Sequence, residues 1–318
     1  KLLDKMVRLV KPKDLIETIG LTRHITRPYL PQDYKHDTGP YTIEQVVHVE
    51  ASWHHSKGKG VVEETQFIES LAFGVDTVKL GGIVATADPR DRNFKKILKL
   101  HHKASPHFRG IRKMASFHED KQIHAWTDEP QLYRNKKFLK GFEVLSQYNL
   151  SFDAWVYSTQ LEDVIYLAKQ FPETSIVLDH LGTPAGLFGP IGANTGMTQT
   201  ARENIFFRWK DDLAELASCP NVYTKMSGLF MPVLGHRFHK EGRLASKQEV
   251  FDLAHPMITH ALACFGTYRV MFASNFPMDS VSTSLINIID ALSDVVAAYE
   301  PDALERVFHH NAKQFYRL

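Results

Sequence analysis

The stretch Ser175-Ile176-Val177-Leu178-Asp179-His180-Leu181-Gly182 decides how the chain is read. Its aliphatic run is short, β-branched and too brief for a helix. It delivers His180 to its end, and Gly182 permits a tight exit. A buried strand that finishes on a histidine places a titratable ring where parallel sheets present their chemistry, at the carboxyl edge.

The same unit recurs on both sides. Further β-rich runs cover Gln45 to Ala51, Val78 to Thr86, Phe108 to Lys113, Ser151 to Tyr157, Asn221 to Met226 and Arg269 to Ala273. Helical patterns lie between them, over Glu63 to Phe73, Asn93 to His101, Lys136 to Tyr148, Leu161 to Lys169, Arg208 to Ala217 and Gln248 to Phe265. Two more, around Ser284 to Tyr299 and Pro301 to Arg317, close the chain. Strand and helix in alternation predict an α/β fold with a parallel sheet, and the length of 318 residues suits a (β/α)₈ TIM barrel. No repeat, low-complexity tract or linker marks a boundary, so one domain over residues 1–318 is expected.

Two stretches break the alternation, Thr183 to Asn204 and Phe230 to Lys247. Both read as long βα loops, either walls of the site or idle surface insertions. Charge narrows the partners: 38 basic against 36 acidic residues give a formal +2, so neither nucleic acid nor an anionic membrane is favoured and a small molecule is the expected partner. Apolar runs fall far short of the roughly 20 residues that span a bilayer. Cys219 and Cys264 lack zinc-knuckle spacing and read as thiols in a reducing, cytoplasmic compartment.

The remaining strand ends carry further candidates. In His48-Val49-Glu50-Ala51-Ser52-Trp53, period two puts His48 and Glu50 on one face, and Glu50, Ser52 and Trp53 are candidates for substrate contact. Arg112 closes Arg109-Gly110-Ile111-Arg112, where its guanidinium either grips a carboxylate or lactone carbonyl or neutralises a buried acid such as Glu50. Asp153, Trp155 and Tyr157 suit a pocket wall or a packed barrel layer. Ser227, after Lys225-Met226, and the run Ala273-Ser274-Asn275-Phe276-Pro277-Met278-Asp279 add polar groups to the same mouth.

Together, VHVEAS at 47–52, FRGIR at 108–112, LDHLGTP at 178–184, KMSGL at 225–229, FASNFPMD at 272–279 and NAKQFYRL at 311–318 resemble the amidohydrolase-2 group. The branch is similar to lactonase-like hydrolases that include sugar lactonases and 2-pyrone-4,6-dicarboxylate lactonase, and the likeness runs from about Tyr29 to Leu318. It implies hydrolysis by water attack, with His180 catalytic or a ligand of a divalent metal such as zinc, and Arg112 steadying the oxyanion. A metal-independent route stays open beside it, as do a metal-dependent decarboxylase of the same fold and an inactive binding protein. Homodimerisation is expected only by analogy with barrels of this size.

Three departures qualify the resemblance. The acid of its (G/A)S-D-(W/F)-P pattern is Asn275, which cannot accept a proton, and Asp279 is the nearest carboxylate to replace it. The His-x-His of the group's first strand has no counterpart: His54-His55 and His101-His102 are adjacent, in a loop and at a helix end, and the missing strand is expected upstream of Lys1. Thr183 stands where dicarboxylate lactonases of the group carry an arginine, which favours a neutral sugar-acid lactone.

Overall fold

A computed structural model describes residues 12–21 and 26–318. Among them a parallel sheet runs in chain order through β1 (Gln45–Val49), β2 (Lys79–Thr86), β3 (Phe108–Arg112), β4 (Ser151–Ala154), β5 (Ile176–Leu178), β6 (Val222–Met226) and β7 (Val270–Phe272). All seven expected runs form strands. The sheet curls as a barrel wall, and the expected eighth strand falls outside the described residues.

Helices return the chain between strands: Val62–Glu69, Phe94–Ala104, Lys136–Phe142 with Val144–Gln147, Leu161–Gln170, Gln199–Ala217 and Lys247–Phe265, with Leu285–Tyr299 after β7. The helix after β5 begins nine residues before the apolar pattern does, at Gln199 rather than Arg208, with the Thr198 hydroxyl capping the Ala201 amide at 3.1 Å. Its first buried side chain is Trp209, so the leading turns carry no apolar stripe that periodicity could detect. The loop expected over Thr183 to Asn204 is shorter by those turns.

Two apolar layers hold the sheet. Between sheet and helices lies the main core, with Ile111, Phe152, Leu178 and Trp209 fully buried. On the concave side a smaller cluster of Val84, Val177, Met271, Phe315 and Tyr316 fills the floor. Phe315 and Tyr316 come from the final helix, Asn311–Tyr316, which the buried Asn311 amide pins to the seventh strand's approach by donating to Thr267 O at 2.8 Å and Val270 O at 2.6 Å. No helix among the described residues is long and apolar enough to cross a membrane.

Candidate active site

Register builds the layer above that floor. Thr86, Arg112 and Asp153 are paired across β2 to β4, so their side chains stand in one row on the concave face. Arg112 donates from Nε to Glu50 Oε1 at 2.8 Å, from Nη2 to the Glu50 carbonyl at 2.6 Å, and from Nη1 to Asp179 Oδ2 at 3.1 Å. Glu50 also accepts from Thr86 Oγ1 at 3.0 Å and from the Ser52 amide at 3.2 Å. Of the two roles the sequence left open for Arg112, the structure shows the guanidinium neutralising buried Glu50. Three of its five N–H groups are used, and two remain.

Lys225 of β6 completes the layer. Its ammonium donates to Asp153 Oδ2 at 2.5 Å and Asp179 Oδ1 at 2.8 Å, and Tyr316 Oη donates to Asp153 Oδ2 at 2.9 Å. Burial opposes the charge on Lys225, but the two carboxylates outweigh it and hold its pKa well above the ordinary value. Burial likewise opposes ionisation of Asp179, and Lys225 with Arg112 overcomes it, so Asp179 stays an anion. Asp153 is pushed upward by burial despite Lys225, and its Oδ1 is buried without a partner. Three carboxyls face two cations, and Asp153 is the one placed to carry a proton.

His180 sits above this layer. It follows β5 in a left-handed run, with φ of 56° at His180, 49° at Leu181, 76° at Gly182 and 41° at Thr183. Non-glycine residues rarely adopt such angles, and three within four positions mark a turn held by its surroundings. Those surroundings are specific. His180 Nδ1 lies 2.8 Å from Ser227 Oγ, its ring meets Trp155 edge-on at 5.8 Å, and the Trp209 indole donates to Leu181 O at 2.7 Å. Gly228 leaves the space: a Cβ there would stand 2.5 Å from the His180 ring. Burial lowers the His180 pKa to about 4, so the ring is neutral at physiological pH.

The other candidates divide by environment. Trp155 stacks beneath the Arg112 guanidinium at 5.7 Å and donates from Nε1 to Thr183 Oγ1 at 3.0 Å, which makes it a wall fixed in place. Tyr157 is fully buried and donates its hydroxyl to His124 O at 2.8 Å. Asp279 is buried beneath the exits of β6 and β7, accepting from Asn275 Nδ2 at 2.8 Å and from the Gly228 and Phe230 amides. Burial raises its pKa to about 8 against those donors. Asn275 itself has φ 51° and turns its amide inward to this acid.

Ser52 and Trp53 stand at the rim, where Ser52 is exposed and Trp53 packs its ring on His54 at 4.9 Å and Phe67 at 5.2 Å. His48 and Glu50 do not share a face. His48 Nε2 lies 3.0 Å from Glu64 of the outer helix, because β1 and its alternation end at Val49. Lys225 and Asp179 escaped notice in the sequence as members of the site. Lys225 lies two residues before Ser227 on a strand end, the position that had already singled out its neighbours.

A second helix crosses near the mouth. Lys13–Ile19 ties the loop after β3 to the loop after β6, through Thr18 Oγ1 accepting from the His124 amide at 3.0 Å and Glu17 pairing with Lys240 at 2.6 Å. Of the two long loops expected at the site, the one over Phe230 to Lys247 thus meets this helix.

A parallel β/α sheet whose polar groups converge at its carboxyl edge defines a class of barrel enzymes. Within it, the chain belongs to the amidohydrolase family (Amidohydro_2), which it matches over residues 28–318. It is 30% identical over 297 residues to the y4mH protein of Sinorhizobium fredii, covering 92% of this chain and 87% of that one. It is 27% identical over 219 residues to L-fucono-1,5-lactonase of Burkholderia ambifaria, covering 67% of this chain and 62% of that enzyme. Among solved structures, an amidohydrolase from Burkholderia multivorans with bound HEPES superposes with a TM-score of 0.72 at 21% identity, over 92% of this chain and 90% of that one. A second crystal of a Burkholderia multivorans amidohydrolase, with bound zinc, matches equally well.

Zinc in that neighbour raises the fit of a metal here. Among the described residues, no three histidine, cysteine or carboxylate donors converge around His180. Glu50, Asp179 and Asp153 instead surround Arg112 and Lys225, and Asp279 is occupied by N–H donors. These acids are committed to cations and N–H donors of the chain itself, and the described residues do not fit a metal there.

Proposed function

We propose that the chain opens a lactone, that of a sugar acid or a related compound, by water attack beside His180. The observation that carries this reading is the state of the ring: neutral, oriented by Ser227, and set at a strand mouth over a fixed guanidinium. A neutral imidazole held at Nδ1 presents Nε2 as a general base, with Nδ1–H donating to the serine hydroxyl. The base takes a proton from water as the water oxygen bonds to the lactone carbonyl carbon. The two uncommitted N–H groups of Arg112 are suited to the oxyanion that forms. Collapse of that tetrahedral centre breaks the ring C–O bond, and the imidazolium returns its proton to the leaving hydroxyl.

The likeness to L-fucono-1,5-lactonase supports the substrate class, and Thr183 in place of a second cation supports a neutral ring over a dicarboxylate. Two free thiols, Cys219 buried and Cys264 partly so, agree with a reducing cytoplasmic setting. Decarboxylation by the same fold wants a firm metal set, and the donors described around His180 do not form one.

The test is a hydrolysis screen of sugar-acid 1,4- and 1,5-lactones with the full chain and with His180→Asn, before and after chelation. His180→Asn is expected to lower kcat/KM by about 10²–10⁴-fold, the usual share of general-base catalysis. Turnover that survives this substitution, or no turnover on any lactone, would overturn the reading.

A further inference from the structure

A second cluster of ligand-type side chains lies apart from the barrel centre, on the loop that follows β1. One ring nitrogen each of His54 and His55 and a Glu63 carboxylate oxygen all lie within 4.8 Å of one another. His55 Nδ1 is 2.8 Å from Glu63 Oε2, and His54 Nε2 is 3.6 Å from the same oxygen. Tetrahedral coordination at about 2.0–2.1 Å sets neighbouring ligand atoms roughly 3.4 Å apart, so the trio brackets that spacing. Two neutral imidazoles and one carboxylate are a common zinc set, with a fourth position open to water.

Surface histidines beside a glutamate are also common as plain ion pairs, and two features set these apart. Gly60 makes room for the cluster: a Cβ at that position would stand 2.7 Å from His55 Cβ. Trp53 braces it from the other side, its ring against His54 at 4.9 Å and its Nε1 donating to Glu63 Oε2 at 3.3 Å. That indole orients the carboxylate as an outer partner of a metal ligand does. The two imidazoles sit 4.3 Å apart, tilted by 49°, so their ring planes converge rather than stack.

From this arrangement we propose that His54, His55 and Glu63 form a binding site for a divalent transition-metal cation of the zinc class, which clips the loop after β1 to the helix Val62–Glu69.

The experiment is titration of metal-stripped full-length protein with Co²⁺, read by its visible absorption, followed by displacement with Zn²⁺. His180→Asn separates the barrel from the rim. The wild type and His180→Asn are expected to give the same tetrahedral Co²⁺ spectrum, which H54A/H55A and Glu63→Gln lose. Trp53→Phe is expected to weaken the site by about 10–100-fold, the usual cost of removing an outer partner. The three ligands are 64%, 55% and 43% exposed, so these variants should fold, and circular dichroism checks that they do. Metal uptake unchanged in H54A/H55A, uptake lost in His180→Asn alone, or no uptake by the wild type would each overturn the proposal.

Discussion

Ser227 and Gly228 show how much of this site depends on single side chains. The serine hydroxyl is the hydrogen-bond partner that orients the His180 ring at Nδ1, and the glycine is the residue whose missing Cβ lets the ring sit there. Ser227→Ala removes one hydrogen bond worth about 1 kcal/mol, and is expected to lower kcat about fivefold with KM little changed. The matching readout is the acid limb of the pH–rate profile, which should move, whereas a purely structural serine would leave it in place. His180 was visible in sequence because an apolar run delivers it to a strand end. The Ser227 contact, 47 residues away, was not, because it arises only where the exits of β5 and β6 come side by side.

Among the elements, the final helix has the most leverage for its size. Asn311–Tyr316 closes the concave floor with Phe315 and Tyr316, and Tyr316 touches the ionic layer through Asp153. Its anchor is the Asn311 amide, buried with both donors committed to backbone carbonyls. Asn311→Ala leaves Thr267 O and Val270 O without that donor and is expected to cost about 1–3 kcal/mol, measured as a lower denaturation midpoint with an unchanged m-value. Strand positions were readable from apolar runs in all seven cases. The start of the Gln199–Ala217 helix was not, because its opening turns hold no fully buried side chain before Trp209 and their cap is a local hydrogen bond.

Across the whole molecule, buried histidines govern the response to acid. Burial lowers His101 to about 4, His180 to about 4 and His236 to about 3, each from an ordinary value of 6.5. The unfolded chain protonates these rings near pH 6.5 and the folded chain resists until near pH 4, so their contribution is complete above pH 6.5 and is lost as pH falls. Asp279 and Asp153, raised by burial, act in the other direction and gain stability over the same range. The three rings together outweigh the two acids, so stability is expected to fall from pH 7 to pH 5. Urea midpoints at the two pH values check this, and a midpoint that rises toward pH 5 would refute it.

The sequence by itself determined the alternation of strands and helices, the family, and the strand ends at which polar groups gather. Those follow from local periodicity and from residue order, which are properties of the chain. Tertiary structure decided which of those groups meet. Arg112 reads equally as a substrate clamp or a buried counter-ion until Glu50 and Asp179, 62 and 67 residues away, are found on its guanidinium. Lys225 looks like an ordinary strand residue until Asp153 and Asp179 close on it, and Asn275 looks like a lost acid until its amide is seen to hold Asp279. Electrostatic pairing falls off with distance in space rather than along the chain, so only the curled sheet, which brings its strand ends together, could assign these partners.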